Sequence, residues 1–90
     1  MELLQRRENM IRQWFAMWLS KQNTGLDNIF SPDAIYIESW GPEYHGTDAI
    51  NHWFEEWNTR GTVQCWESQQ FFHQEDQTVV QWQFQCELSG

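Results

Sequence analysis

Residues 78–88 place Val80, Trp82, Phe84, Cys86 and Leu88 on one side and Gln81, Gln83, Gln85 and Glu87 on the other. This period of two predicts a β-strand with one buried and one wetted face. Two stretches upstream repeat instead at helical spacing. Ile11, Trp14, Phe15 and Trp18, then Ile50, Trp53, Phe54 and Trp57, each follow i, i+3, i+4, i+7, which predicts two amphipathic helices with aromatic stripes. Aromatic helices closed over one face of a sheet enclose either a very full core or a cavity. The function turns on which of the two forms.

Around these elements the turn signals predict an order. A first helix spans residues 2–22 and stops at Thr24-Gly25, where glycine adopts a left-handed cap. A short helical turn over 26–30 ends at Ser31-Pro32, because the residue before proline is pushed out of the α region. Residues 34–40 read as a strand with Ala34, Tyr36, Glu38 and Trp40 on one side and Ile35, Ile37 and Ser39 on the other. Gly41-Pro42 turns the chain into a short return over 43–46. A helix capped by Gly46 or Thr47 then runs to Arg60-Gly61. Residues 62–72 form a long strand, joined by 73–77 to the alternating one. A turn centred on Glu75-Asp76 sets Cys65 opposite Cys86, Glu67 opposite Phe84, Gln69 opposite Trp82 and Phe71 opposite Val80. Trp66 and Phe72, on the other face, favour a one-residue slip, which would flip every side chain of one strand.

Ninety residues make one domain, 1–90, and a chain this short buries only ~60–65% of its unfolded surface. Seven Trp, six Phe and two Tyr supply the burial that scarce aliphatics do not, since each buried aromatic removes roughly 150–250 Å² from water. The excess of indole over aliphatic filler favours a flat, aromatic-walled pocket for a small apolar or aromatic molecule.

The net charge of −8 is unevenly spread: residues 1–25 carry four basic and two acidic groups, the rest one basic and eleven acidic. Nucleic acid is therefore not an expected partner, because phosphate recognition needs clustered Lys and Arg. Neither an apolar run of membrane-spanning length nor a signal-peptide core is present, so no membrane partner is expected and the expected location is the cytoplasm. Cys65 and Cys86 lack the spacing of a zinc site and read as reduced thiols. No metal or cofactor is called for.

The order helix, short helix, strand, tight return, helix, long hairpin resembles the nuclear transport factor 2-like superfamily, which includes ketosteroid isomerases and SnoaL-like polyketide cyclases. Phe30-Ser-Pro-Asp33-Ala34-Ile-Tyr-Ile-Glu38 resembles the F-x-x-D-A-x-x-x-D/E entry to its first strand, and Gly46-Thr-Asp-Ala-Ile50-Asn-His-Trp-Phe54 the G-x-x-A-I-x-x-F start of its third helix. The resemblance implies an α+β fold, a curved antiparallel sheet wrapped around three helices into a cone-shaped barrel, with an internal pocket and a homodimer formed through the sheet. Members typically continue for two more strands. This chain stops at Leu88-Ser-Gly90, so the domain is expected to be C-terminally short, its sheet completed by further residues or by a neighbouring chain.

By the same resemblance Glu38 falls where the isomerases carry a carboxylate base, which moves a proton beside a carbonyl. The isomerases' oxyanion tyrosine falls at Phe15, or at Trp14 if the loop is aligned without a gap, and their second acid would lie beyond Gly90. That loss removes the largest usual catalytic contribution. The expected pocket is lined by Trp14, Phe15, Trp18, Tyr36, Trp40, His45, Trp53, Phe54, Trp57, Glu67 and Trp82. His52 reads as a half-buried polar edge, His73 as a turn residue, and Asp33 as a brace for the Ser-Pro turn. Three readings follow: a non-catalytic small-molecule binder or accessory protein, a cofactor-independent isomerase, cyclase or lyase using Glu38, and a dimerisation module with a filled core.

Overall fold

The computed structural model describes residues 2–88, so the expected stop at Ser89-Gly90 lies outside the described residues. The fold is α+β, with three helices and two antiparallel two-stranded sheets. Helix α1 covers Glu2–Ser20 and α2 Leu26–Ile29. Strands β1 (Ile35–Ile37) and β2 (Glu43–His45) form a small hairpin, α3 covers Thr47–Arg60, and β3 (Gly61–Gln74) and β4 (Gln77–Leu88) form a long one.

The first helix ends earlier than its periodicity predicts. Lys21 itself takes the left-handed position, at φ 59°, and the Gln22 amide reaches back to the Met17 carbonyl at 3.1 Å, a C-terminal closure that needs no glycine. Gly25, at φ 136°, instead precedes α2. Asn23 secures that start, its side-chain oxygen accepting from the amides of Gly25 and Leu26. β1 is also shorter than expected. After Ile37 the backbone bends, with the Glu38 amide bonded to Pro42 O and the Gly41 amide to Glu38 O, and Trp40 is left 76% exposed.

Helix α3 passes into β3 without a loop. A Cβ at Gly61 would meet the Trp57 ring and Leu88 Cδ2, both at 2.8 Å, so any side chain there would have to displace both.

The register of the long hairpin agrees with the sequence at its turn, where Phe71 faces Val80, and then departs from it. Irregularities between Ser68 and Gln70 and between Val63 and Cys65 each add a residue to β3. The first brings Trp66 opposite Phe84 and Ser68 opposite Trp82, and turns Glu67 to the other face opposite Gln83. Cys65 and Cys86, expected as neighbours, face Gln85 and Val63, and both are free. The bulges resolve the conflict between the two faces of β3: they put Trp66 inside with Trp82 and Phe84 without moving Phe71 from Val80.

The core comprises Trp14, Phe15, Met17 and Trp18 of α1, Leu26 of α2, Ile50 and Phe54 of α3, and Val63 and Trp66 of β3. Trp18 meets Phe54 edge-on at 5.0 Å and Trp57 at 5.2 Å, and Trp53 stacks on Tyr44 at 4.5 Å. Phe15 stacks on Trp66 at 4.1 Å. Such pairs contribute about 0.5–1.5 kcal/mol each beyond area burial.

Candidate functional site

A cleft of about 390 Å³ lies between α1 and the inner face of the long hairpin. Its α1 wall is Arg7, Met10, Ile11, Trp14 and Phe15, the helical stripe continued one turn toward the N-terminus. Trp66, Thr78, Val80 and Trp82 form the hairpin wall, with Ile29, Phe30 and Tyr36 beside them and Asp76 at the turn. Thr78, Val80 and Trp82 are one face of β4 at period two. Cover over the hairpin comes mainly from α1 and leaves Trp82 46% and Phe84 44% exposed. Trp82 still meets Phe15 at 5.5 Å and Trp66 at 5.4 Å, both edge-on.

Polar groups are few. Trp14 Nε1 donates to Tyr36 Oη at 3.4 Å. Burial raises the Tyr36 phenol above its ordinary value, the Trp14 bond pulls it back, and the Glu38 charge adds to the rise. At the other end His73 ties the hairpin tip to α1. Its Nε2 lies 2.8 Å from Glu8 Oε2 and its Nδ1 3.0 Å from Thr78 Oγ1. With the proton on Nε2, the ring donates to Glu8 and accepts from the Thr78 hydroxyl. Glu8 also meets Arg12 at 3.4 Å, and Arg12 lies over the Phe71 ring at 4.8 Å. His73 is thus a half-buried strand residue, not the turn residue expected: the turn is only two residues long and its side chain points at α1.

Four of the expected pocket residues, Trp14, Phe15, Tyr36 and Trp82, come together in this cleft. Trp18 and Phe54 are buried core, while Trp53 and Trp57 pack against that core half-buried. His45 and Trp40 are exposed on the small hairpin, His45 beside Glu43 at 3.1 Å. Glu67, turned outward by the bulge, edges a second, shallow groove with Arg12, Leu19 and Ser68. Glu38 lines neither cavity. Its Oε2 accepts from Tyr44 Oη at 2.7 Å and its Oε1 from Trp40 Nε1 at 3.2 Å. Desolvation first, and then the Glu38 carboxylate, push the Tyr44 phenol up to about 12. His52 is exposed and pairs with Glu56, and Asp33 accepts from Ser31 Oγ at 3.0 Å.

The polar wall residues Arg7, Asp76 and Thr78 were not among the expected pocket residues. Arg7 stands seven residues before Trp14, two turns along the same stripe, and Thr78 continues the Val80–Trp82 alternation. Those spacings were legible. Asp76 enters only through the hairpin turn. Among the described residues no group of three or more His, Cys, Asp or Glu is placed to hold a metal ion, and no helix is long and apolar enough to cross a membrane.

No curated protein and no solved structure matches the chain. The family model for the SnoaL-like domain matches residues 11–90, a span that begins inside α1 and takes in every later element. The chain therefore belongs to the SnoaL-like family of the nuclear transport factor 2-like superfamily.

Proposed function

We propose that the chain is a non-catalytic or accessory small-molecule-binding protein whose ligand, an apolar or aromatic molecule, occupies the cleft between α1 and the long hairpin. The observation that carries this reading is an open, aromatic-walled cleft beside a closed aromatic core. Cavities of this size with few polar groups suit small apolar ligands, and the family includes small-molecule binders and isomerase-type proteins alike. Titration with ring compounds should quench tryptophan emission and raise the melting temperature as RT ln(1 + [L]/Kd). A broad panel of steroids, aromatic polyketides and fatty acids giving no shift would favour the filled-core reading. We further propose self-association through the hairpin strands. Ile35 and Ile37 are 56% and 62% exposed, and Val79 and Leu88 are exposed as well, a burden for a small monomer. A monodisperse monomer at micromolar concentration in sedimentation would refute that part.

A further inference from the structure

The aromatic cleft has one cationic group on its wall, Arg7. Arg7 Nη1 is buried without a hydrogen-bond partner. No acid forms an ion pair with it within 4.0 Å among the described residues: Glu8 is taken by His73 and Arg12, and Asp76, the one acid on the wall, is not paired. Trp66 Nε1, also on a cleft-lining residue, is a second buried donor without a partner. Thr78 supplies no third donor while its hydroxyl is directed to His73. The cleft thus has apolar walls and one guanidinium, of which a nitrogen lacks a hydrogen bond, with Asp76 on the same wall, and an unmet buried donor is costly.

We propose that the cleft takes an apolar carboxylate, with its acid head on the Arg7 guanidinium and its chain or ring along Trp14, Phe15 and Trp82. This inference rests on the cleft being the binding site. A charged oxygen acceptor on the guanidinium is held about twice as strongly as a neutral one. The planar guanidinium fork fits a carboxylate in particular. Asp76, also on the wall, is exposed, so the cleft is open to water, and the head group keeps part of its hydration and avoids the full cost of burying an anion. The overall negative charge opposes such a ligand at long range, but residues 1–25, which include α1, carry four basic groups against two acidic. Asp76 weakens the site and sets a second test.

Decanoate and decanol, titrated at pH 8 by calorimetry and thermal shift, separate head group from tail. Decanoate is expected to bind about tenfold tighter, equivalent to about 1.4 kcal/mol. Arg7→Met should abolish that difference while leaving decanol affinity within about twofold, its fold checked by circular dichroism. Asp76→Asn should increase the preference for decanoate. Equal binding of the two ligands, or a preference that survives Arg7→Met, overturns the head-group assignment and leaves the apolar cleft standing. Failure of both ligands to bind overturns the cleft as a binding site and this inference with it.

Discussion

Two aromatic clusters in this chain are built from the same residue types and end in different states. The first, Trp14, Trp18, Trp53 and Phe54 with Tyr44, is clamped between α1, α3 and the small hairpin, and its rings lie 4.5–6.4 Å apart. In the second, Phe15, Trp66, Trp82 and Phe84 keep comparable spacings, and Phe15 and Trp66 are buried, but the β4 members Trp82 and Phe84 are nearly half exposed. Ring contact is thus the same in both, and the difference lies in the number of layers. A stripe enclosed from both sides is core; a stripe covered from one side is a wall, available to a ligand.

The largest expected effect tests the enclosed side. Phe54 is 1% exposed and Trp18 3%, and truncation of such a ring costs about 3–5 kcal/mol. In a domain with ~5–10 kcal/mol of stability, Phe54→Ala should remove most of the folded population at elevated temperature. Urea denaturation measures it. A loss below about 1 kcal/mol would mean that the first cluster is as loosely held as the second.

Trp82→Ala should cost less, about 1–2 kcal/mol, because nearly half of the ring already meets water. Its effect on ligand affinity should be larger than its effect on stability, and opposite in proportion to that of Phe54→Ala. Melting temperatures with and without ligand check this. If Trp82→Ala destabilises as much as Phe54→Ala, the second cluster is core in solution and the cleft is closed.

The sequence made the two clusters visible unequally. Helical spacing identified Trp14, Phe15, Trp18 and Phe54 because a buried stripe on α1 and α3 needs only local periodicity. The cap at Gly46-Thr47 and the stop at Arg60-Gly61 placed the next helix at residues 47–60, and the structure has it there. Register was legible only near the turn, since a bulge depends on how both faces of β3 are satisfied at once. That is why Glu67 was expected inside and lies outside, and why Trp66, which did not fit the alternation, belongs to the cleft. Trp40 was misjudged for another reason: alternation extends a strand on paper past the point where the backbone turns. The Glu8–His73 contact joins residues 65 apart in sequence, and no local pattern encodes it.

The smallest expected effect on the cleft comes from Glu38→Gln, and it separates the two regions chemically. Glu38 belongs to the small hairpin, where its carboxylate accepts from Tyr44 and Trp40, so its neutralisation should leave affinity for a cleft ligand within about twofold. Tyr44 should respond instead. Its folded pKa, about 12 against an ordinary 10.0, should fall when the charged acceptor is removed. An ultraviolet titration of the two tyrosines reads that change, Tyr36 falling less because the Glu38 charge is the smallest cause of its shift. The pH dependence of stability has a definite sign. A folded-state pKa above the unfolded value keeps the phenol protonated in the folded state while the unfolded chain ionises first. Tyr44's contribution is therefore intact below about pH 10 and lost as pH rises toward 12. Glu38→Gln should shrink that alkaline loss. Were the same substitution to weaken ligand binding tenfold, or to abolish a proton-transfer activity while binding persisted, the carboxylate would have to reach the cleft in solution. The separation between the small hairpin and the aromatic cleft would then fail, and Glu38 would return as a general base.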